Sequence, residues 1–514
     1  MKCLLSLLTA ALGIPMVALL AAPQLGGTGQ IGLRSAVSKP VDKAATARLQ
    51  VPPVGIARIP PTRTARARPR TRTGVLQTNG PGSLAVVING RTIAASAVNG
   101  SAFRMPLPGS GRWYNLSIFV PATGQDELFI LGVPNTPATI DVPLLVGMRQ
   151  NNVSHADLIV HTTFWDECLA RGWYMLAPIS RGIAGFDTTG GSTLNAQENT
   201  KAALAWVTAN YPIDGDRIYG VGFSAGAGLL ASYASRHLDP AEPMFAAIAY
   251  HTGFCDLVDI YNNSSGGGQL QLETLLGGSP STLPFEYRRI SSLELDPLRL
   301  WIANGDHGAW SLGSIPIQIW YATNDTNTGL LLHTTQLFDW MTLNGNGPVS
   351  VISGVSQNPA NGFHNWSLLD EVQVCNWFTG RILKRPDRGD LLIDRDATYH
   401  EYAVQQEVAG SFSRLSFAKT LATNELALTQ TDNVQRVTLN PNSIGLSIAP
   451  GALLALNLEA VDSGDETVLE GVQAAPFGVH RDGNINTSWV YSAALETLTI
   501  TESQPGMHVW SIQF

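Results

Sequence analysis

The chain has 514 residues, of which 44% are hydrophobic and 14% charged, with a formal net charge of -8. That length calls for two or three domains, and the apolar content provides for a large core and excludes wholesale disorder. The acidic balance gives no electrostatic footprint for nucleic acid.

Lys2 precedes an apolar stretch from Leu4 to Ala22, broken by Pro15 and ending in Ala21 and Ala22. This reads as a secretory signal peptide over residues 1–22 and a secreted or periplasmic protein. The alternative is a retained membrane anchor, since the run approaches the length of a bilayer span. Residues 23–75 form a Pro- and Arg-rich linker ending in a basic run from Pro61 to Thr73. With few large apolar residues it cannot bury a core. It reads as a solvated tether, with contact to an anionic surface or polymer as the functional alternative. The cysteines are Cys3, Cys168, Cys255 and Cys375. Cys3 would leave with the signal, so at most one intrachain disulfide can form. No cysteine spacing resembles a metal site.

Residues 76–385 are expected to form the main domain, beginning with a β extension. Leu84 to Ile88 and Tyr114 to Val120 have strand character. Strands and helices then alternate. Strands are expected at Val142–Gly147, Tyr174–Ile179, Arg217–Gly222, Phe245–Tyr250, Ile315–Tyr321 and Val349–Ile352. Helices are expected at His155–Arg171, Asn195–Ala209, Ala225–Arg236 and Ser367–Ile382. Such alternation predicts an α/β fold with a mostly parallel sheet covered by helices on both faces. The segment from Thr252 to Gly313 is long and rich in Gly and Ser, and is a candidate lid. After about Asp387 the helical periodicity ends. Short alternating runs at Arg436–Leu439, Leu453–Leu458, Leu498–Thr501 and His508–Ile512 predict an all-β domain over 386–514, a sandwich by its patterning. Stabilising the rest of the chain and binding a polymer or surface are equally open roles for it.

The chemistry is concentrated in Gly222-Phe223-Ser224-Ala225-Gly226, a G-x-S-x-G sequence with a strand before it and an Ala/Leu-rich helix after it. A sharp strand-to-helix turn of this kind exposes the serine, and its glycines remove Cβ clashes. Ser224 is therefore the candidate nucleophile. A serine hydroxyl needs a base, and the base needs an orienting acid. In such sheets the acid and then the histidine follow the serine. Asp325 sits in the loop closing the Ile315–Tyr321 strand, at the sheet edge where α/β proteins place their chemistry. His364 lies between the next strand and the closing helix. His251 and His307 are the competitors, but both precede the acid.

These motifs resemble the α/β-hydrolase superfamily. Within it they are most similar to secreted esterases of the polyhydroxybutyrate depolymerase and feruloyl esterase type, and to the catalytic domain of the prolyl oligopeptidase family. The likeness is carried by Pro212 to Ile218 leading into the serine turn, by Asn324-Asp325, and by Phe363 to Trp366. It implies a Ser224–Asp325–His364 triad, with no cofactor and no metal. These families usually carry His-Gly after the strand corresponding to Val142–Gly147, where a backbone N–H completes the oxyanion hole. Here the sequence is Gly147-Met148-Arg149-Gln150, leaving Gln150 and Ala225 as the candidate backbone donors. A carboxylic-ester hydrolase acting on small or polymeric esters is the expected function. The alternatives are a serine peptidase similar to prolyl oligopeptidase and a non-catalytic binding protein on the same scaffold. The region before Gly124 is too short for the propeller of that peptidase family.

Overall fold

The computed structural model describes residues 75–78, 84–88, 91–97, 111–134, 140–151, 153–182, 191–345, 347–429 and 432–514. The expected signal peptide, and the linker apart from its last residue, lie outside them. No helix among the described residues is long and apolar enough to cross a membrane.

Eleven strands run from β1 (Val75–Thr78), β2 (Leu84–Ile88), β3 (Arg91–Ala97), β4 (Gly111–Val120) and β5 (Gln125–Pro134) to β6 (Val142–Met148), β7 (Tyr174–Pro178), β8 (Ile213–Phe223), β9 (Ala247–His251), β10 (Ile317–Ala322) and β11 (Val349–Gly354). They form one sheet in the order β1-β2-β3-β4-β5-β7-β6-β8-β9-β10-β11. Pairing is antiparallel from β1 to β5 and between β5 and β7. From β7 through β6, β8, β9 and β10 to β11 it is parallel. The reversal of strand order around β6 and β8 brings the ends of those strands together, where α/β sheets place their sites.

The helices are α1 (Asp157–His161), α2 (Phe164–Ala170), α3 (Leu194–Asn210), α4 (Ala225–Arg236), α5 (Leu257–Asn263), α6 (Gly266–Leu276), α7 (Pro284–Arg288), α8 (Ala309–Leu312), α9 (Thr328–Asn344) and α10 (Glu371–Thr379). They cover both faces of the sheet, and strand alternation sorts the core between them. Leu144 and Val146 of β6, Ile248 and Tyr250 of β9, and Ile317 and Ile319 of β10 share a cluster with residues of α3, α4 and α9. Leu145, Ala247, Ala249 and Trp320 face the other way, into a cluster with residues of α1, α2 and α10. These are the features that the resemblance implies: a largely parallel sheet, two helical layers, and a strand–serine–helix turn at its C-terminal edge.

Local details differ in places. The helix expected over His155–Arg171 is two short helices, α1 and α2. Thr162 turns extended at φ -133° and the Thr163 N–H leaves the axis for Glu371 Oε1 at 3.0 Å. The closing helix is shorter than expected, starting at Glu371 with Asp370 as its cap and ending at Thr379. The candidate lid is not bare loop: it contains α5 to α8.

After Asp387 the described residues form strands, apart from one 3-10 turn at Pro441–Ile444. A seven-stranded sheet and a six-stranded sheet follow, with burial alternating along the strands, as at Ser413–Thr420 and Leu453–Ala460. A small cavity between the sheets is lined by Leu428 and Leu458 from one and Val434, Val437 and Thr467 from the other, so the sheets lie face to face. All described residues belong to one compact unit.

Candidate active site

β8 prepares the serine turn by alternation. Tyr219, Val221 and Phe223 point to the α1/α2/α10 side. Gly220 and Gly222 therefore face α4, which crosses close enough that a Cβ on Gly220 would lie 2.4 Å from Leu230 and one on Gly222 2.5 Å from the Gly226 carbonyl oxygen. Gly226 is tighter still, since its Cβ would lie 2.3 Å from the Met148 oxygen and 2.4 Å from the Arg149 oxygen. The motif glycines thus let α4 dock on β8 and let the end of β6 press on the first turn of α4.

Ser224 takes φ 57°, ψ -123°, a backbone conformation L residues rarely adopt. Its N–H donates to the His251 carbonyl at 3.0 Å, and its own carbonyl accepts from Ala227 and Gly228. The turn is over-determined, which is how a strained residue persists.

The three expected side chains meet. Ser224 Oγ lies 3.0 Å from His364 Nε2, and His364 Nδ1 lies 2.7 Å from Asp325 Oδ2. All three residues are buried. The other oxygen of Asp325 accepts the Asn327 N–H at 2.7 Å. The histidine loop turns through three consecutive positive-φ residues, Asn361, Gly362 and Phe363. It is stitched to the acid loop where the Gly362 carbonyl accepts from both the N–H and the hydroxyl of Thr326 at 2.9 Å. Phe223 packs beside the base, its ring centroid 4.6 Å from that of His364.

The competing histidines fall elsewhere. His251 lies beneath the site, edge-on to Phe223 at 4.9 Å, with neither ring nitrogen hydrogen-bonded. Burial, assisted by His364, pushes its pKa down to about 3, so it stays neutral. His307 is buried against Trp310 and Trp340 and is likewise held down to about 3, chiefly by burial.

Around the expected oxyanion donors the geometry is specific. The Ala225 N–H opens α4, and the first N–H groups of a helix have no intrahelical acceptor. Gln150 follows the carbonyls that touch Gly226. Its backbone N–H is directed at Asp157 Oδ2, 3.5 Å away, and its side-chain amide at Oδ1, 3.4 Å away. Arg149 turns inward, donating to the carbonyls of Ile179 at 3.0 Å and of Val153. It therefore braces this loop from behind. Sequence reasoning passed over Asp157, which carries no motif and becomes notable only through its neighbours. Trp366 also donates to it, at 3.0 Å.

No protein-family model matches the sequence, and no curated protein matches it. Among solved structures, an S-formylglutathione hydrolase from Agrobacterium tumefaciens is similar at 14% identity and a TM-score of 0.40, over 54% of this chain and 98% of its own. An acetyl xylan esterase from Paenibacillus sp. R4 is similar at 17% identity and a TM-score of 0.37, over 56% of this chain and 88% of its own. An acylaminoacyl peptidase from Pyrococcus horikoshii is similar at 10% identity and a TM-score of 0.39, over 59% of this chain and 54% of its own. Likeness this remote says nothing of activity, which has to be read from the side chains of this chain.

Proposed function

We propose that this protein is a serine hydrolase that cleaves carboxylic esters through an acyl-enzyme on Ser224. The observation that carries the reading is the unbroken Ser224–His364–Asp325 hydrogen-bond chain, 3.0 and 2.7 Å, on a strained strand-to-helix turn. His364 Nε2 takes the Ser224 proton as Oγ attacks the ester carbonyl. Asp325 holds the ring orientation through Nδ1 and stabilises the imidazolium that forms. The backbone N–H groups of Ala225 and Gln150 receive the charge on the carbonyl oxygen. His364 then returns the proton to the leaving alkoxide. Water, activated by the same histidine, hydrolyses the acyl-enzyme.

Esters with a small acyl group fit best, with peptide amides slower. An amide needs fuller oxyanion stabilisation and proton delivery to nitrogen, and the Gln150 N–H has to leave its long 3.5 Å contact with Asp157 before it can donate. The apolar segment after Lys2 supports export of the mature chain.

A fluorophosphonate should label the protein at Ser224. p-Nitrophenyl acetate and butyrate should turn over faster than alanine or proline anilides. Ser224→Ala should fold and retain less than about a tenth of the activity, since loss of a serine nucleophile typically costs several powers of ten. An unlabelled protein, or a Ser224→Ala variant with substantial turnover, would overturn the reading. Anilide turnover matching ester turnover would instead make it a peptidase.

A further inference from the structure

One buried carboxyl joins two loops of the site that are far apart in sequence. Asp157, the first residue of α1, has a fully buried side chain. Its Oδ2 accepts the indole N–H of Trp366 at 3.0 Å, and Trp366 follows His364 by two residues. Gln150, on the loop leaving β6, reaches the same carboxyl with its backbone N–H at 3.5 Å and its side-chain Nε2 at 3.4 Å. No lysine or arginine pairs with Asp157 among the described residues, and its ion partner within reach is His161, 3.8 Å away with a 58% exposed side chain. Burying an acid without a guanidinium partner is costly, so packing gives no reason for one here.

We propose that Asp157 is a positioning residue for ester hydrolysis, setting the spacing between the Gln150 backbone donor and the His364 base. The inference rests on the serine-hydrolase reading given above. On one side, Trp366 is held by Asp157 and packs on Phe223 at 5.0 Å, the ring that also supports His364. On the other, the Gln150 side-chain amide faces the same carboxyl at 3.4 Å. The Gln150 backbone N–H at 3.5 Å lies beyond the usual 2.7–3.2 Å range and is only loosely engaged. It can therefore pass to the developing oxyanion while Trp366, bound at 3.0 Å, remains in place. A contact exchanged only in the transition state affects kcat rather than KM.

The test is steady-state hydrolysis of p-nitrophenyl butyrate by the full chain and its variants, with thermal unfolding as the folding control. Asp157→Ala should lower kcat by about 10- to 100-fold, with KM within about 3-fold. Asp157→Asn keeps an acceptor of the same shape and should recover most of that loss. Trp366→Phe and Gln150→Ala should each lower kcat, and neither should lower it much further in an Asp157→Ala background, because the three act through one group. If Asp157→Ala fails to fold, the Trp366→Phe/Gln150→Ala pair asks the same question, since losses acting through Asp157 do not simply multiply. A folded Asp157→Ala variant with kcat within about 3-fold of the parent would refute the proposal, as would losses that multiply independently. Either result leaves the serine-hydrolase reading intact. A parent chain with neither labelling nor turnover removes both.

Discussion

At the scale of the residue, the site is built by strain and close approach. Ser224 sits at φ 57° with a side chain, where only glycine is comfortable. Ser224→Gly should therefore be more stable than Ser224→Ala by on the order of 1 kcal/mol and melt higher, although both are inactive. Equal melting temperatures would mean the turn holds no such strain. Gly226 tests the other constraint. A methyl there meets the carbonyl oxygens of Met148 and Arg149, which are backbone atoms and cannot swing aside. Gly226→Ala must displace the loop that leads to Gln150. Activity should fall by about 100-fold or more, as when one oxyanion donor is removed. Near-parental kcat in that variant would show that the β6 loop takes no part in catalysis.

At the scale of the element, stability is uneven around the site. Nearly every residue of α4 is buried, including Gly226 through Arg236. α6 has no buried residue, begins at three consecutive glycines and ends on Gly277 at φ 89°. Its Leu272 and Leu276 pack, half-buried, on a small cluster of Phe254, Leu257, Tyr287 and Ile290, which Ala225 also touches. α6 is thus a thinly held helix on the apolar patch beside the nucleophile, where the sequence suggested a lid. Its amides should exchange with solvent well before those of α4, because local opening there breaks few buried contacts. Protection of α6 equal to that of α4 would exclude a lid that opens locally.

At the scale of the molecule, the β region after Asp387 is tied to the layers of the α/β sheet by a buried ion cluster. Asp394 accepts from Arg236, at the end of α4, at 2.5 Å and from Arg289, after α7, at 2.7 Å. Ser311 of α8 adds two hydrogen bonds to the backbone of Leu392. Burial raises the Asp394 pKa, but the two guanidinium groups outweigh it and hold the carboxyl near 2. Removing one member of such a cluster strands buried charge, so Asp394→Ala should cost about 3–5 kcal/mol. A loss under about 1 kcal/mol would mean that the junction is wet.

Four described histidines make the whole fold sensitive to acid. Burial lowers His237 and His400 to about 4 and His251 and His307 to about 3. Unfolded, each takes a proton near pH 6.5, so below that pH the unfolded chain binds more protons and stability falls. Glu127 opposes them: burial raises it to about 8, and the folded state holds its proton through the same range. Four protons against one leaves a net three, or about 4 kcal/mol per pH unit near pH 5. The melting temperature should therefore drop steeply from pH 7 to pH 5. A flat profile would show that these histidines are hydrated.

The serine turn, α4 and the order of Ser224, Asp325 and His364 were readable from the sequence because each depends on neighbouring residues or on chain order alone. The turn needs glycines two positions either side of one serine. α4 needs an apolar run, and its limits match those expected, Ala225 and Arg236. α9 went unread because its buried positions include His333 and Thr334. Those side chains are buried because Asp259 and Gly253 satisfy them from far away in the chain, so the apolar stripe is confined to Leu337, Trp340 and Met341 in the second half of the helix. The same holds for Asp157 and Trp366, 209 residues apart, and for the candidate triad, where Ser224 and His364 are separated by 140 residues. Tertiary structure alone decides such pairs. A polar group can be buried only when a partner is brought to it, and packing, not local pattern, brings the partner.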